Sequence, residues 1–311
     1  MATKEHSGDG GCDQGRSDQG VLAPVLTPFD RDLSPDPKRF VAFSRVLAQL
    51  GIGLAPFGTT SEGNSLSADE KAMLLEALAA GGIDMSRVMP GTGTCALSET
   101  VRLTAQAVKL GCGGVLVLPP FYYKGVTEEG LFRSYAAVID KVGDARLRLY
   151  LYHFPRQSQV PLSLGLIERL LKTYPGTVVG IKDSSGEFAN MEAMRKAFPG
   201  FDVFTGTEAL GLKMLRIGGA GIISANANVN GAAMVELIKR WRDPEAEGLQ
   251  ESLTAFRVAT QDFPLIAALK ALVARATGDQ VWRITRPPLV DLTIEAEDAM
   301  VKRLERAGFP V

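Results

Sequence analysis

Thr177-Val178-Val179-Gly180-Ile181-Lys182-Asp183-Ser184-Ser185-Gly186 is a β-branched apolar run that ends in an ammonium and a turn of small residues. Such a run reads as a strand buried on both faces, of the kind found in a parallel sheet covered by helices. A lysine at its end is expensive, because burial disfavours an ammonium and favours the free amine that attacks a carbonyl. Two readings follow from the segment alone. Lys182 is a Schiff-base nucleophile, or it snorkels to solvent or pairs with Asp183 or another carboxylate.

Comparable runs recur at 21–26, 52–57, 87–90, 114–118, 147–153, 203–206 and 221–224, so with 178–182 eight strands are expected. Helical patterns lie between them, as in Leu131, Tyr135, Val138 and Ile139. Helix starts are marked by Asp36 before Pro37, by Ser67 with Glu70 as a capping box, and by Ser163 before Leu164. Eight β-α units in roughly 220 residues predict an α/β fold, a closed (β/α)8 TIM barrel, in preference to an open doubly wound sheet. The barrel is expected over 21–243, completed by a helix over 231–242. A C-terminal helical appendage is expected over 244–311, with helices at 245–260, 264–277 and 293–307. Leu265, Leu269, Leu272 and Val273 form an apolar face there, for packing on a barrel flank or on another copy of the chain. Residues 1–20 are rich in Gly, Asp and Ser and read as a disordered leader, neither a signal peptide nor a membrane span.

The 311 residues are 46% hydrophobic and 22% charged, with a net charge of −1. That balance describes a soluble globular protein and offers no basic footprint for nucleic acid or an anionic membrane. A small-molecule role is expected. Cys12, Cys95 and Cys112 are scattered, which indicates neither a disulfide framework nor a zinc site and fits a reducing cytoplasm. With His6 and His153 as the two histidines, a His-based triad or metal site is excluded by count. No strand end carries the acidic cluster of a Mg²⁺ site, and Gly91-Thr92-Gly93-Thr94 is too short for a nucleotide fingerprint. The expected chemistry needs no metal and no cofactor.

A (β/α)8 barrel places its site at the C-terminal ends of the strands. The second run ends Gly58-Thr59-Thr60-Ser61-Glu62-Gly63, a hydroxyl-rich turn that is either a nest for a carboxylate or an ordinary loop. The fourth ends Leu118-Pro119-Pro120-Phe121-Tyr122-Tyr123-Lys124, and the fifth ends Tyr150-Leu151-Tyr152-His153-Phe154-Pro155. Tyrosines at this rim serve core packing, or relay protons beside an imine-forming lysine. Alternation along the strand turns His153 away from Tyr152, which gives His153 a structural role.

Gly58-Thr59-Thr60-Ser61-Glu62, Tyr152-His153-Phe154-Pro155 and Gly180-Ile181-Lys182-Asp183, in that order and spacing, resemble the dihydrodipicolinate synthase and N-acetylneuraminate lyase family of class I pyruvate aldolases. The resemblance extends from about residue 21 to the C-terminal helices, through Ala220-Gly221-Ile222-Ile223-Ser224, Asn228-Val229 and Arg286-Pro287-Pro288-Leu289. It implies a barrel with a C-terminal helical domain, assembled as a homotetramer that is a dimer of dimers. It also implies that Lys182 forms an imine with pyruvate or a 2-keto acid, with Tyr152 as the general acid/base. Thr59 would link Tyr152 to a tyrosine of a neighbouring subunit, Tyr122 or Tyr123 depending on the alignment, with Tyr122 preferred. Thr59 and Thr60 would hold the pyruvate carboxylate, while Gly206 and Ile223 would line the pyruvate pocket.

The chain departs from the family where the second substrate is read. True synthases carry an arginine five residues after the catalytic tyrosine, where this chain has Gln157, a neutral amide that cannot replace a bidentate guanidinium. Arg156 is adjacent, and could substitute only if the loop shifts by one residue, since neighbouring side chains point differently. Sialic acid lyases carry an acidic pair and a serine where this chain has Thr207-Glu208-Ala209 and Ala225, although Glu208 alone suits a sugar-acid hydroxyl. The expectation is a lyase that cleaves or dehydrates a 2-keto-3-deoxy (sugar) acid. Its alternatives are a genuine synthase condensing pyruvate with aspartate semialdehyde, a non-catalytic 2-keto acid-binding relative, and a barrel enzyme in which Lys182 is a salt-bridged structural residue.

Overall fold

The computed structural model describes residues 20–310, so nearly all of the expected leader lies outside the described residues, as do His6 and Cys12. Seven apolar runs pair as parallel strands: Gly20–Ala23 (β1), Gly53–Leu54 (β2), Val115–Val117 (β3), Leu149–His153 (β4), Val178–Asp183 (β5), Asp202–Thr205 (β6) and Gly221–Ile223 (β7). Their order in the sheet is β2-β1-β7-β6-β5-β4-β3. Gly20, assigned to the leader on composition, instead opens β1 by pairing with Gly221.

The third expected strand, 87–90, does not form. A 3-10 turn occupies Met85–Arg87, and the segment after it touches its neighbours through isolated bridges, Leu54 with Val88 and Leu116 with Gly91. Proline explains the shortfall. The Pro90 carbonyl accepts from the Leu116 amide at 2.9 Å, but Pro90 has no N–H to return a rung to β3. On the other side the Met89 and Gly91 amides each reach the β2 segment at 2.7 Å. The sheet is thus curled far enough for both edge strands, β2 and β3, to meet this segment.

Helices cover the outer face, and the start signals in the sequence place them. Asp36 accepts from the Lys38 and Arg39 amides, Ser67 and Glu70 form a reciprocal capping box, and Ser163 accepts from the Leu166 amide. Leu131, Tyr135, Val138 and Ile139 all face the core from the helix Glu128–Val142. Burial of each such side chain contributes about 1.5–3 kcal/mol, which is why the 3.6-residue period predicts the helix.

The inner face is narrower and holds Leu22, Ala55, Met89, Leu116, Tyr150, Phe204 and Ile223 in one apolar layer. Tyr150 fills the space beside β5. A Cβ added to Gly180 would lie 2.5 Å from the Tyr150 ring, so that β5 position must be glycine for the strands to pair. By alternation Tyr152 and Lys182 continue this face one step further along β4 and β5, where they are register partners. His153 and Asp183 form the next rung and point the other way.

His153 is buried, and its Nδ1 accepts from the Leu162 amide at 3.2 Å, a structural use of the ring. Burial lowers its pKa below the ordinary 6.5, with Asp183 and Glu187 opposing that shift.

The helix expected over 231–242 runs instead over Ala227–Arg240, and after it come Ala246–Thr260, Leu265–Thr277 and Ile294–Arg306, within one residue of the limits read from sequence. The middle one is enclosed on both sides. Leu269 and Val273 pack on Leu26 and Trp282, while Ala267, Ala271 and Leu272 pack on Phe256, Met300 and Leu304.

Two outcomes test this packing. Gly180→Ala should destabilise the protein by about 1–3 kcal/mol through overpacking against Tyr150, read as a lower urea midpoint. Acidification should lower the melting temperature as pH falls below about 6.5, because the unfolded chain then protonates His153 while the folded chain keeps it neutral. His153→Asn retains an acceptor for the Leu162 amide and should flatten that dependence.

Candidate active site

The loops after the strands enclose a cavity of about 620 Å³, and Lys182 is at its floor. Lys182 is 5% exposed, and its Nζ lies 4.5 Å from the centroid of the Tyr152 ring. Among the described residues it has no ion-pair or hydrogen-bond partner. Asp183 is not available to it, because Asp183 Oδ1 accepts from the Ser185 amide at 2.7 Å and Oδ2 accepts from Asn190 Nδ2 at 2.6 Å. The reading of Lys182 as a salt-bridged structural residue therefore finds no partner. A lone amine held against an aromatic face and open to a cavity is suited to attack a bound carbonyl.

Tyr152, Thr59, Thr60, Gly206, Ile223 and Gln157 border the same cavity. The Tyr152 ring stacks on Phe154 with centroids 5.9 Å apart, which fixes its orientation beside Lys182. Gly206 is required at the end of β6, since a Cβ there would come within 2.1 Å of Ser184 Oγ. Within the chain, no hydrogen bond among the described residues engages the amides or hydroxyls of Thr59 and Thr60, so these donors face the cavity unspent. A pair of such donors near an amine suits a 2-keto carboxylate.

Two of the sequence-predicted residues are elsewhere. Glu208 stands behind the wall at 1% exposure, with its carboxylate engaged by Ser224 Oγ, by Asn226 Nδ2 at 2.6 Å and by Arg257 Nη1 at 3.5 Å. It orders the wall and has no free oxygen to offer a substrate hydroxyl. Tyr122 is 74% exposed and Tyr123 is 72% exposed, paired edge to face at 5.3 Å on the loop after β3. Neither borders the cavity of its own chain.

The loop after β4 removes the need for a one-residue shift at Arg156. Pro155–Ser158 forms a single helical turn, in which successive side chains fan by about 100° instead of alternating. Arg156 and Gln157 therefore both border the cavity without any shift of register.

Contributions from the C-terminal region went unread in the sequence. Arg257, Leu265 and Pro288 to Val290 complete the wall. Arg257 is held by Glu208, whereas Leu265 and Pro288 to Val290 are held by the pairing of Glu62 with Lys270, both side chains fully buried. Lys270 Nζ also donates to the Ile284 carbonyl at 2.7 Å, and Glu62 Oε2 accepts from the Arg286 amide at 2.9 Å. The Arg286 guanidinium in turn bonds Glu70, the Ser65 carbonyl at 2.6 Å and the Leu33 carbonyl. Burial pushes the Lys270 pKa down, and the Glu62 carboxylate opposes that shift. A signal existed: Lys270 interrupts an otherwise apolar run on a helix with no solvated face. Arg257 gave none, since a single arginine on an amphipathic helix looks like its wet side.

Comparison with known proteins agrees with this geometry. The model of the dihydrodipicolinate synthetase family matches residues 17–307. An uncharacterised DapA-like lyase of Chloroflexus aurantiacus is 33% identical over 295 residues, 93% of this chain and 96% of that relative. Among solved structures, dihydrodipicolinate synthase from Agrobacterium tumefaciens superposes with a TM-score of 0.85 at 30% identity, covering 93% of this chain and 99% of its own. A prophage protein of the same family from E. coli K12, solved in complex with pyruvate, gives 0.85 at 27% identity over 94% and 99%.

Lys270→Met leaves Glu62 buried without its partner and should cost about 3–5 kcal/mol of unfolding free energy. Lys270→Met combined with Glu62→Gln should recover part of that loss in the same urea titration, the signature of a coupled pair.

Proposed function

Given that the chain belongs to the dihydrodipicolinate synthetase family, a family of lyases, we propose that it is a pyruvate-dependent class I aldolase acting on a 2-keto-3-deoxy acid. The observation that carries this reading is the unpaired Lys182 beside Tyr152 in a cavity that Thr59 and Thr60, free of hydrogen bonds among the described residues, also line. The curled sheet is read as an eight-unit barrel, with 88–91 in the place of the missing strand. No helix among the described residues is long and apolar enough to cross a membrane. A cytoplasmic homotetramer, with Tyr122 reaching a neighbour's site, completes the proposal.

The chemistry follows from the positions. Lys182 Nζ adds to the C2 carbonyl of the substrate, water leaves, and an iminium forms with the C1 carboxylate at Thr59 and Thr60. Tyr152 accepts the C4 hydroxyl proton as the C3–C4 bond breaks. The electron pair of that bond passes to the iminium as an enamine, and an aldehyde departs. Protonation at C3 and hydrolysis then return pyruvate and the free amine. Dehydration would use the same iminium to acidify C3, with loss of the C4 hydroxyl as water. Gln157, where synthases of this family carry an arginine, favours cleavage or dehydration over condensation with aspartate semialdehyde.

Pyruvate with borohydride should leave a reduced three-carbon adduct on Lys182, located by peptide mass mapping, and Lys182→Ala should abolish it while the protein stays folded. Absence of the adduct in the folded wild type would sink the proposal. Tyr152→Phe should lower pyruvate release by about 10²- to 10⁴-fold.

A further inference from the structure

The loop after β3, residues 119–126, carries Tyr122 and Tyr123 and has almost nothing to hold it. Among the described residues its hydrogen bonds come from one side chain: Lys124 Nζ donates to the Phe121 carbonyl inside the loop and to the Ser158 carbonyl outside it, the latter at 3.0 Å. Every residue from 122 to 130 is exposed, so burial does not take the place of the missing bonds. A segment with few buried contacts samples many conformations unless a specific contact selects one. Lys124 is that contact.

The anchor is as fixed as the loop is free. Ser158 is 1% exposed; its amide donates to the Phe154 carbonyl at 2.9 Å, while its hydroxyl donates to the same carbonyl at 3.0 Å and accepts from the Val160 amide at 3.2 Å. The Ser158 carbonyl ends the turn Pro155–Ser158, where carbonyls without an intrahelical partner receive a cation well. Phe154, at the start of that turn, is the residue whose ring stacks on Tyr152. One ammonium therefore ties the exposed tyrosine pair to the support of the catalytic tyrosine. Neither Lys124 nor the pair borders the cavity of its own chain, so the tie does not serve that site directly.

We propose that Lys124 is a positioning residue: it holds the loop of Tyr122 and Tyr123 against the turn Pro155–Ser158, so that the phenol presented to a neighbour's site is set in register with this chain's own Tyr152. This rests on the reading that the loop reaches a neighbouring subunit, and adds the residue that fixes its geometry. Lys124 touches no substrate and acts in trans, through the tyrosine it aims. A relay group displaced by about 1 Å costs on the order of 100-fold in rate, whereas the binding of pyruvate itself is left alone.

Exchange of the C3 hydrogens of pyruvate in D2O, followed by proton NMR, tests this without a second substrate. Lys182 forms the iminium, a C3 proton leaves as its electron pair passes to the iminium, and a deuteron returns to the enamine. Lys124→Met should lower the maximal exchange rate by about 10- to 100-fold and keep the half-saturating pyruvate concentration within about threefold. Lys124→Arg, still a cation with donors for both carbonyls, should recover most of the rate. Co-expressed Lys124→Met and Lys182→Ala chains form sites in which the intact lysine of one chain meets the intact loop of the other, and each such site should exchange at close to the wild-type rate. Replacing Tyr122 and Tyr123 together with phenylalanine should give the same loss and the same recovery in hybrids. A wild-type rate in Lys124→Met, a loss confined to the half-saturating concentration, or no recovery in the hybrids would overturn the inference. If the borohydride adduct on Lys182 still forms in those samples, the imine chemistry stands without it; no exchange and no adduct in the wild type would overturn both.

Discussion

A carboxylate and an ammonium, Glu62 and Lys270, meet where neither retains any contact with water. Each ion alone would lose several kcal/mol of hydration, so each is tolerable only once the other is in place. The loop after β2 and the helix Leu265–Thr277 therefore have to dock together. That single requirement assembles the cavity. It fixes the turn that carries Thr59 and Thr60, it presents Leu265 to the cavity, and through the Arg286 amide it draws Pro288 to Val290 across the top. Arg286 extends the clamp to Glu70, whose pKa is lowered chiefly by the hydrogen bond from that guanidinium.

Against this paired charge, the solitude of Lys182 acquires its meaning. Lys182 and Lys270 are both buried and obey the same electrostatics, yet they are used in opposite ways. Lys270 is neutralised by a carboxylate and a carbonyl, and it serves the fold. Lys182 has a ring face and an open cavity instead, so its amine remains available for a carbonyl carbon. The neighbouring Asp183 is prevented from quenching it by its bonds to Ser185 and Asn190, which the strand's alternation places on the other face.

Period and punctuation carried seven of the eight strands, because short β-branched runs between helical patterns have few other ways to be buried. The failure at 87–90 has a local cause: a proline removes a rung exactly where two short edges meet, and apolar character alone does not reveal a missing donor. At the cavity, the strand ends carrying Lys182, Tyr152, Thr59 and Thr60 were legible because strand polarity gathers them at one rim, while Gly206 and Ile223 were placed there by the family resemblance. Glu208 was misplaced because sequence reports its type and position but not that three neighbours consume its oxygens. Arg156 was set aside because it could serve only through a one-residue shift of the loop, and a single helical turn brings it to the cavity without one.

The sequence by itself determined the alternation of strands and helices, the family, and the identity of the lysine at the end of β5, since these depend on local periodicity and on residues adjacent in the chain. Only the tertiary structure decided that Lys182 is unpaired, that Glu62 and Lys270 lock the loop after β2 to a helix some two hundred residues away in the chain, and that Lys124 ties the loop after β3 to Ser158. The reason is physical. Desolvation and pairing are properties of three-dimensional neighbours, and a charge acquires its energy, and so its role, from what surrounds it after folding.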